Sequence, residues 1–292
     1  MKVVYKIYQL LLYVFLFLMH LQILSGYTNF YSVKFYDTRT TLEKIKGIIQ
    51  TKEKGAYFRF GDGDVHMCVG LNAGWQRGNA KISLEMTETF LLEHKNIIKT
   101  LPLHCIGNGE DSEKMCAGMR FSENRCLRVL RLAQKIYDFE SVYSPWILPF
   151  FAVYEPDVCI EFLKFLKKNN CALLIGNKNI PRSLINLLFG NNCQFVKTPP
   201  RNAYSAIDRI EREALNKIKK DTEYKIIITS MGVSGRPLQK RLWAKLDNVF
   251  LFDFGSLMDA LCGLRTRQWI GKSKFNRKKF IKKLKNYTSE NH

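Results

Sequence analysis

The eight cysteines, at positions 68, 105, 116, 126, 159, 171, 193 and 262, include no C-x-x-C pair. This absence excludes zinc-ribbon and thioredoxin-like readings. Acid is scarce: 26 Asp and Glu stand against 46 Lys and Arg, for a net charge of +20 over 292 residues. The deficit is uneven, because Arg265 to Lys285 holds ten cations and no acid. Such a segment attracts polyanions, whether nucleic acid, anionic lipid or acidic glycan, although many charge runs are simply solvated helix faces. Charge of either sign is missing from Ile7 to Val33, and Ile7 to Leu24 is almost continuously apolar. At ~1.5 Å per residue a helix of about 18 residues approaches the thickness of a bilayer core. Lys2 and Lys6 precede it, which favours a cytoplasmic N-terminus and an exported body. A cleaved signal peptide is the rival, but Leu24-Ser25-Gly26 is a poor cleavage site. The expectation is a single-pass type II membrane protein, anchored through residues 7–25 and facing the Golgi or ER lumen in a eukaryote. The exported body argues against a nucleic-acid partner, and Asn286-Tyr287-Thr288 is a lone glycosylation sequon that fits export.

What is present is enough for a folded body: 46% of residues are hydrophobic and 13% aromatic, which excludes wholesale disorder. A helix is expected over Thr38 to Thr51, with Leu42, Ile45, Ile48 and Ile49 on one face. Ala56-Tyr57-Phe58-Arg59-Phe60 reads as a strand running into Gly61-Asp62-Gly63-Asp64, which reads as a loop. Leu84 to Lys99 and Glu123 to Phe139 have helical spacing, and Leu103 to Gly107 reads as a strand. From Pro156 a rhythm sets in of helices alternating with apolar runs at 171–175, 194–196, 225–229 and 249–252. The expected fold class is α/β, a Rossmann-like, mostly parallel sheet with helices on both faces, preceded by an N-terminal transmembrane helix. Ligands of such sheets sit beyond the carboxyl ends of the strands.

The strand ends carry the chemistry. Asp62 and Asp64, separated only by Gly63, suggest two carboxylates for one divalent cation, Mn²⁺ or Mg²⁺, completed by phosphate oxygens. Gly61 and Gly63 would let the backbone approach a diphosphate, and Arg59 would pair a phosphate or a carboxylate. The bland alternative is a surface turn. Gly176 to Arg182 and Ser230 to Pro237 each join small residues to an Arg (Arg182, Arg236) at a helix start, where anions are stabilised. The second loop, with Gly232 and Ser234, has neither the Gly-Lys-Ser/Thr ending of a P-loop nor a G-x-G-x-x-G pattern. Asp253 and Asp259 follow the last strand, where Asp253 is either a helix cap or a catalytic acid.

Arg59 to Asp64 resembles the Arg-Phe-Gly-Asp-Gly-Glu signature of the GT-D-type glycosyltransferases. Later segments resemble that family in the same order. Pro200-Arg201-Asn202-Ala203-Tyr204 is similar to its Pro-x-Asn-Ala-aromatic element, Met231 to Ser234 to its Gly-Pro-Thr-like loop, and Asp253 to Ser256 to its Asp-Ile-Gly-His. The resemblance covers about residues 38–263, leaving an anchor at 1–26, a stem at 27–37 and a basic tail at 264–292. It implies a Rossmann-like transferase that moves a sugar from a nucleotide-sugar, a UDP-sugar, to a hydroxyl of a glycan or glycoprotein. Asp62 and Asp64 would be the metal ligands, with Arg59, Gly61, Gly63, Gly176, Arg182, Asn202, Gly232, Ser234 and Arg236 about the donor. Two departures matter: Asp64 stands for the family's Glu, and Ser256 for its His. The base would then be Asp259, Asp253 or His66, and Glu110 and Asp111 are further candidates for contact with donor sugar or acceptor. A secretory sulfotransferase, or a non-enzymatic polyanion-binding protein using the tail, are the alternatives; the tail itself would meet anionic lipid or acidic glycan.

Overall fold

A computed structural model of the chain describes residues 33–74, 76–103, 123–134, 136, 140–218 and 223–289. The first half contains β1 (Lys34–Tyr36), α1 (Thr38–Gln50), β2 (Gly55–Phe58), α2 (Asp62–Cys68), α3 (Ala80–Leu91), β3 (Ile97–Lys99), α4 (Glu123–Gln134) and β4 (Ser141–Tyr143). Next come α5 (Ile147–Tyr154), α6 (Pro156–Lys168), β5 (Cys171–Asn177), α7 (Arg182–Phe189), β6 (Gln194–Thr198) and α8 (Ile207–Lys217). The chain closes with β7 (Lys225–Ser230), α9 (Gly235–Trp243), β8 (Val249–Asp253), α10 (Leu257–Leu261), α11 (Gln268–Lys272) and α12 (Arg277–Ser289). Six strands form one sheet in the order β3-β2-β8-β7-β5-β6, and every pairing in it is parallel. β1 and β4 form a separate parallel pair.

The apolar runs are continuous because both sheet faces are covered. Side chains alternate between two cores, as the two-residue period of a strand requires. Tyr57, Leu174, Ile226, Ile228, Phe250 and Phe252 meet α1, α5, α6, α7 and α12 on one face. Ala56, Phe58, Leu173, Ile175, Ile227 and Leu251 meet α2, α3, α4, α8 and α9 on the other. Each fully buried Leu, Ile or Phe adds about 1.5–3 kcal/mol. Gly55 is required where β2 begins, since a Cβ there would lie 2.6 Å from Ile48 and 2.7 Å from Phe250. Asp37 starts α1 by accepting the Thr40 N–H at 2.7 Å.

The strand order creates a switch point. β2 and β8 are neighbours, yet the helix after β2 packs on one face and the helix after β8 on the other: Val65 and Met67 of α2 belong to one core, Leu257 and Leu261 of α10 to its opposite. The chain therefore diverges above these two carboxyl ends and leaves a crevice there.

Several expectations are corrected. The anchor expected over residues 7–25 lies outside the described residues, and among the described residues no helix is long and apolar enough to cross a membrane. The fold class of the described residues is accordingly α/β with a parallel sheet and, among them, no membrane-spanning helix, and the single-pass membrane localisation loses its support. The segment read as one helix over Leu84 to Lys99 is helix only to Leu91; Ile97–Lys99 pairs in register with Ala56–Phe58 instead. Residues expected as a tail are packed on the body: Trp269, Phe280 and Leu284 are buried in the first core. Cys68, Cys126, Cys159, Cys171, Cys193 and Cys262 are free thiols.

Candidate functional site

The Gly-Asp-Gly-Asp segment, expected as a loop, is the first turn of α2. Gly61 is the N-cap, and its N–H donates to Asp64 Oδ2 at 2.8 Å while its carbonyl accepts the Asp64 N–H at 3.1 Å. An acid three residues past the cap closes the turn reciprocally. Asp62 and Asp64 thus stand two apart on a helix, a spacing at which side chains do not face each other. Gly63 packs on the following loop, where an added Cβ would lie 3.3 Å from Ala73 Cβ.

Asp64 is buried, and its partner is Arg236, whose side chain is 2% exposed. Arg236 Nη2 lies 3.0 Å from Asp64 Oδ1 and 3.1 Å from Oδ2. Its Nη1 donates to the Gly232 carbonyl at 2.7 Å and also to Asp253 Oδ2. Asp253 Oδ1 accepts from Arg59 Nε at 3.4 Å. Two acids and two guanidiniums form a neutral cluster where α2, β2, β8 and α9 meet. Burial opposes the charge of Arg236, but Asp253 and Asp64 outweigh it and raise its pKa. Arg59 reaches this cluster because Gly255, at φ +61°, has no side chain; a Cβ there would sit 2.8 Å from the guanidinium.

Beyond the cluster lies a cleft of about 110 Å³ over the carboxyl ends of β5, β6, β7 and β8. Arg59 and Arg267 bring two cations to it, and Asp259 a carboxylate. Burial raises the Asp259 pKa, with the Thr266 hydroxyl, Arg267 and Arg59 partly offsetting it. Thr266 Oγ1 donates to Asp259 Oδ2 at 2.6 Å. Gly232, at φ +62° and with open space where a Cβ would be, forms one wall with Ser230 and Ser234. Asn177, Asn202 and the buried Thr198 hydroxyl, which has no hydrogen-bond partner, form the other. Gln76 ties the walls together, its Oε1 accepting from Ser234 Oγ at 2.9 Å and from the Tyr204 N–H at 3.2 Å.

Of the residues singled out in sequence, the cleft gathers Arg59, Asn202, Gly232, Ser234 and Asp259. Arg236 and Asp253 lie behind it as a buried ion pair. Arg182 is exposed and donates to its own helix end, the Asn191 carbonyl, at 2.7 Å. Gly176 is packed against Ile180, 2.8 Å from where a Cβ would be. His66 is half-buried on α2 and does not line the cleft, nor do Asp62, Asp64, Gly61 and Gly63. Glu110 and Asp111 lie outside the described residues. Ser256 is buried, and its hydroxyl accepts the Trp269 indole N–H at 2.8 Å. Sequence reasoning missed Arg267, hidden in a run of cations, and Thr198, which ends β6.

The paired-carboxylate metal site does not fit this arrangement. Asp64 Oδ2 is bonded to Gly61 and Arg236, its Oδ1 lies against the Arg236 guanidinium without a hydrogen bond of its own, Asp62 stands two residues away on the helix, and among the described residues no three His, Cys, Asp or Glu side chains converge as ligands.

No sequence-family model and no curated protein matches the chain. Solved structures do. The fold is similar to that of a glycosyltransferase of domain of unknown function 1792 from Streptococcus sanguinis, with a TM-score of 0.58 at 18% identity, over 78% of this chain and 82% of that one. It is also similar to a structure of the same domain described as having a distinct glycosyltransferase fold, with a TM-score of 0.56 at 16% identity, over 80% of this chain and 83% of the other.

Proposed function

We propose that this protein is a glycosyltransferase that moves a sugar from a nucleoside-diphosphate sugar, a UDP-sugar by the resemblance of its motifs, to a hydroxyl of a glycan acceptor. The observation that carries this reading is the cleft at the switch point, where Arg59, Arg267 and the open Gly232 turn face Asp259. The chemistry of the place suits a diphosphate: backbone at Gly232 admits a close approach, and two guanidiniums offset its charge. The similarity of fold to glycosyltransferases supports the same reading.

In the reaction, the bond between the anomeric carbon and the diphosphate oxygen breaks, and its electron pair leaves with the nucleoside diphosphate. Arg59 and Arg267 stabilise the negative charge that develops there. The acceptor oxygen forms the new bond to the anomeric carbon and loses its proton. Asp259 is the carboxylate suited to receive that proton, because it faces the cleft and burial makes it more basic than an exposed Asp. Asp253 is buried behind the cleft between two guanidiniums, out of an acceptor's reach.

The test is release of nucleoside diphosphate from a panel of nucleotide-sugars by the full chain, with binding of UDP measured alongside. Turnover of one donor, reduced about 10²–10⁴-fold in Asp259→Asn with UDP affinity kept, is the expected result. A chain that neither binds a nucleoside diphosphate nor turns over any donor is not a glycosyltransferase.

A further inference from the structure

The acids of the Asp62-Gly63-Asp64 motif are read most directly as ligands of a divalent cation, yet a cation already occupies that position. We infer that Arg236 is a built-in counter-cation for Asp64 and Asp253, and that it takes the place a divalent metal would need at the motif.

Three observations carry this. The first is contact: Arg236 Nη2 sits 3.0 and 3.1 Å from the two oxygens of Asp64, and Nη1 bonds Asp253 and the Gly232 carbonyl. Mg²⁺ needs a carboxylate oxygen at about 2.0–2.1 Å and would compete with the guanidinium for the buried Asp64. The second is charge: Asp64 and Asp253 are balanced by Arg236 and Arg59. Adding a divalent ion would leave a net buried charge of about +2, which is costly without further ligands. The third is access: Asp64 and Arg236 are buried side chains (7% and 2% exposed). The cleft is lined by Arg59 and Arg267 instead. Asp64 has also committed Oδ2 to the Gly61 N–H, which starts α2.

The sequence contains the same information in scattered form. Arg236 stands 172 positions from Asp64 and 17 from Asp253, and only the adjacency of β2, β7 and β8 joins them. The inference does not depend on the transferase reading; it concerns what neutralises the acids, whatever the cleft binds. If the cleft does take a nucleoside diphosphate, the charge on that ligand is met by the two cleft arginines.

The experiment is Mn²⁺ binding to the full chain after chelator treatment, followed by the electron paramagnetic resonance signal of free Mn²⁺, with and without UDP. Wild type, Asp64→Asn and Arg236→Met are compared. The expected result is that wild type binds no Mn²⁺ at Asp64: at 100 μM metal, any occupancy seen is the same in Asp64→Asn, with UDP present or absent. Arg236→Met, with its acids released, gains an Mn²⁺ site and a rise in melting temperature on adding the metal that wild type lacks. One Mn²⁺ per wild-type chain, bound at least tenfold more tightly than in Asp64→Asn in either condition, overturns the inference. Should Arg236→Met fail to fold, the wild-type and Asp64→Asn arms still decide. Absence of UDP binding would count against the transferase reading alone, because the arms without UDP test Arg236 by themselves.

Discussion

Removing the Asp253 carboxylate separates a structural acid from a catalytic one. Asp253 is 3% exposed and receives Nη1 of Arg236 and Nε of Arg59. In Asp253→Ala the neutral cluster becomes a buried net cation, with Asp64 and the Gly232 carbonyl left to hold Arg236. Breaking a buried pair from one side costs about 3–5 kcal/mol, because the remaining charge cannot be solvated. At about 2–4 °C per kcal/mol for a chain of this size class, the melting temperature falls by roughly 10 °C. The control is Glu155→Gln. The Arg39–Glu155 bridge is short, 2.6 Å, but its side chains are 60% and 34% exposed, so its loss costs below about 1 kcal/mol. Urea unfolding followed by circular dichroism gives both values on one scale. A double variant, Asp253→Ala with Arg236→Met, should cost less than the sum of the two single changes, since it removes both partners of one buried pair. If Asp253→Ala unfolds within about 1 kcal/mol of wild type and yet abolishes turnover, Asp253 is a catalytic group and the burial argument fails.

Two further changes test neighbouring features. Gly255→Ala forces an L-residue into φ +61° and pushes a methyl group into Arg59; the backbone alone costs about 1–2 kcal/mol, and displacement of Arg59 should weaken UDP binding about tenfold. Gly190→Ala, at φ +93° and away from the cleft, shares the backbone cost only, so equal UDP affinity in the two variants would refute the role given to Gly255. Lys99 supplies a pH dependence. Burial lowers its pKa from 10.5 to about 8, against a partial opposing pull from Glu93. Between those values the unfolded chain holds a proton that the folded chain has lost, so stability from this group rises with pH and the penalty is complete below about pH 8. Lys99→Met should therefore stabilise at pH 7 and lose that gain by about pH 10 in urea titrations; a gain independent of pH would contradict it.

The sheet was legible because buried parallel strands carry unbroken apolar runs, as in Lys225–Ser230 and Val249–Asp253. β3 was not, since three residues are too few for a period and the preceding helix has the stronger signal. The glycines of Gly61 to Asp64 point to a loop, although an acid three residues past a cap is also how helices begin. Asn202, at φ +49°, is a left-handed residue before a 3₁₀ turn at Ala203–Ala206, so α8 starts only at Ile207, a break that periodicity does not reveal. At the site, position along the chain was the better guide: strand ends did converge, and Arg59, Gly232 and Asp259 face one cleft. Orientation was the blind spot. Whether Arg236 points into the cleft or away from it depends on a distant acid, and periodicity does not report such partners. The same holds for Arg267, which local sequence presents as one more surface cation.

The strand order bears on how the molecule is made. β2 pairs with β8, so a strand finished by Phe58 waits for a neighbour that begins at Val249. During synthesis the amino-terminal strands β2 and β3 form an edge with an exposed apolar surface until nearly all of the chain is available, and long-range pairing of this kind is slow. The buried ions lie on that seam: Arg59 and Asp64 arrive with one half, Arg236 and Asp253 with the other. Each half brings one acid and one guanidinium; docking adds the pairs that cross the seam, Arg59 with Asp253 and Arg236 with Asp64. A correctly joined seam is thus marked by its crossed ion pairs, a misaligned one by a stranded arginine or aspartate, and the cleft comes into being only with the joint that builds its floor.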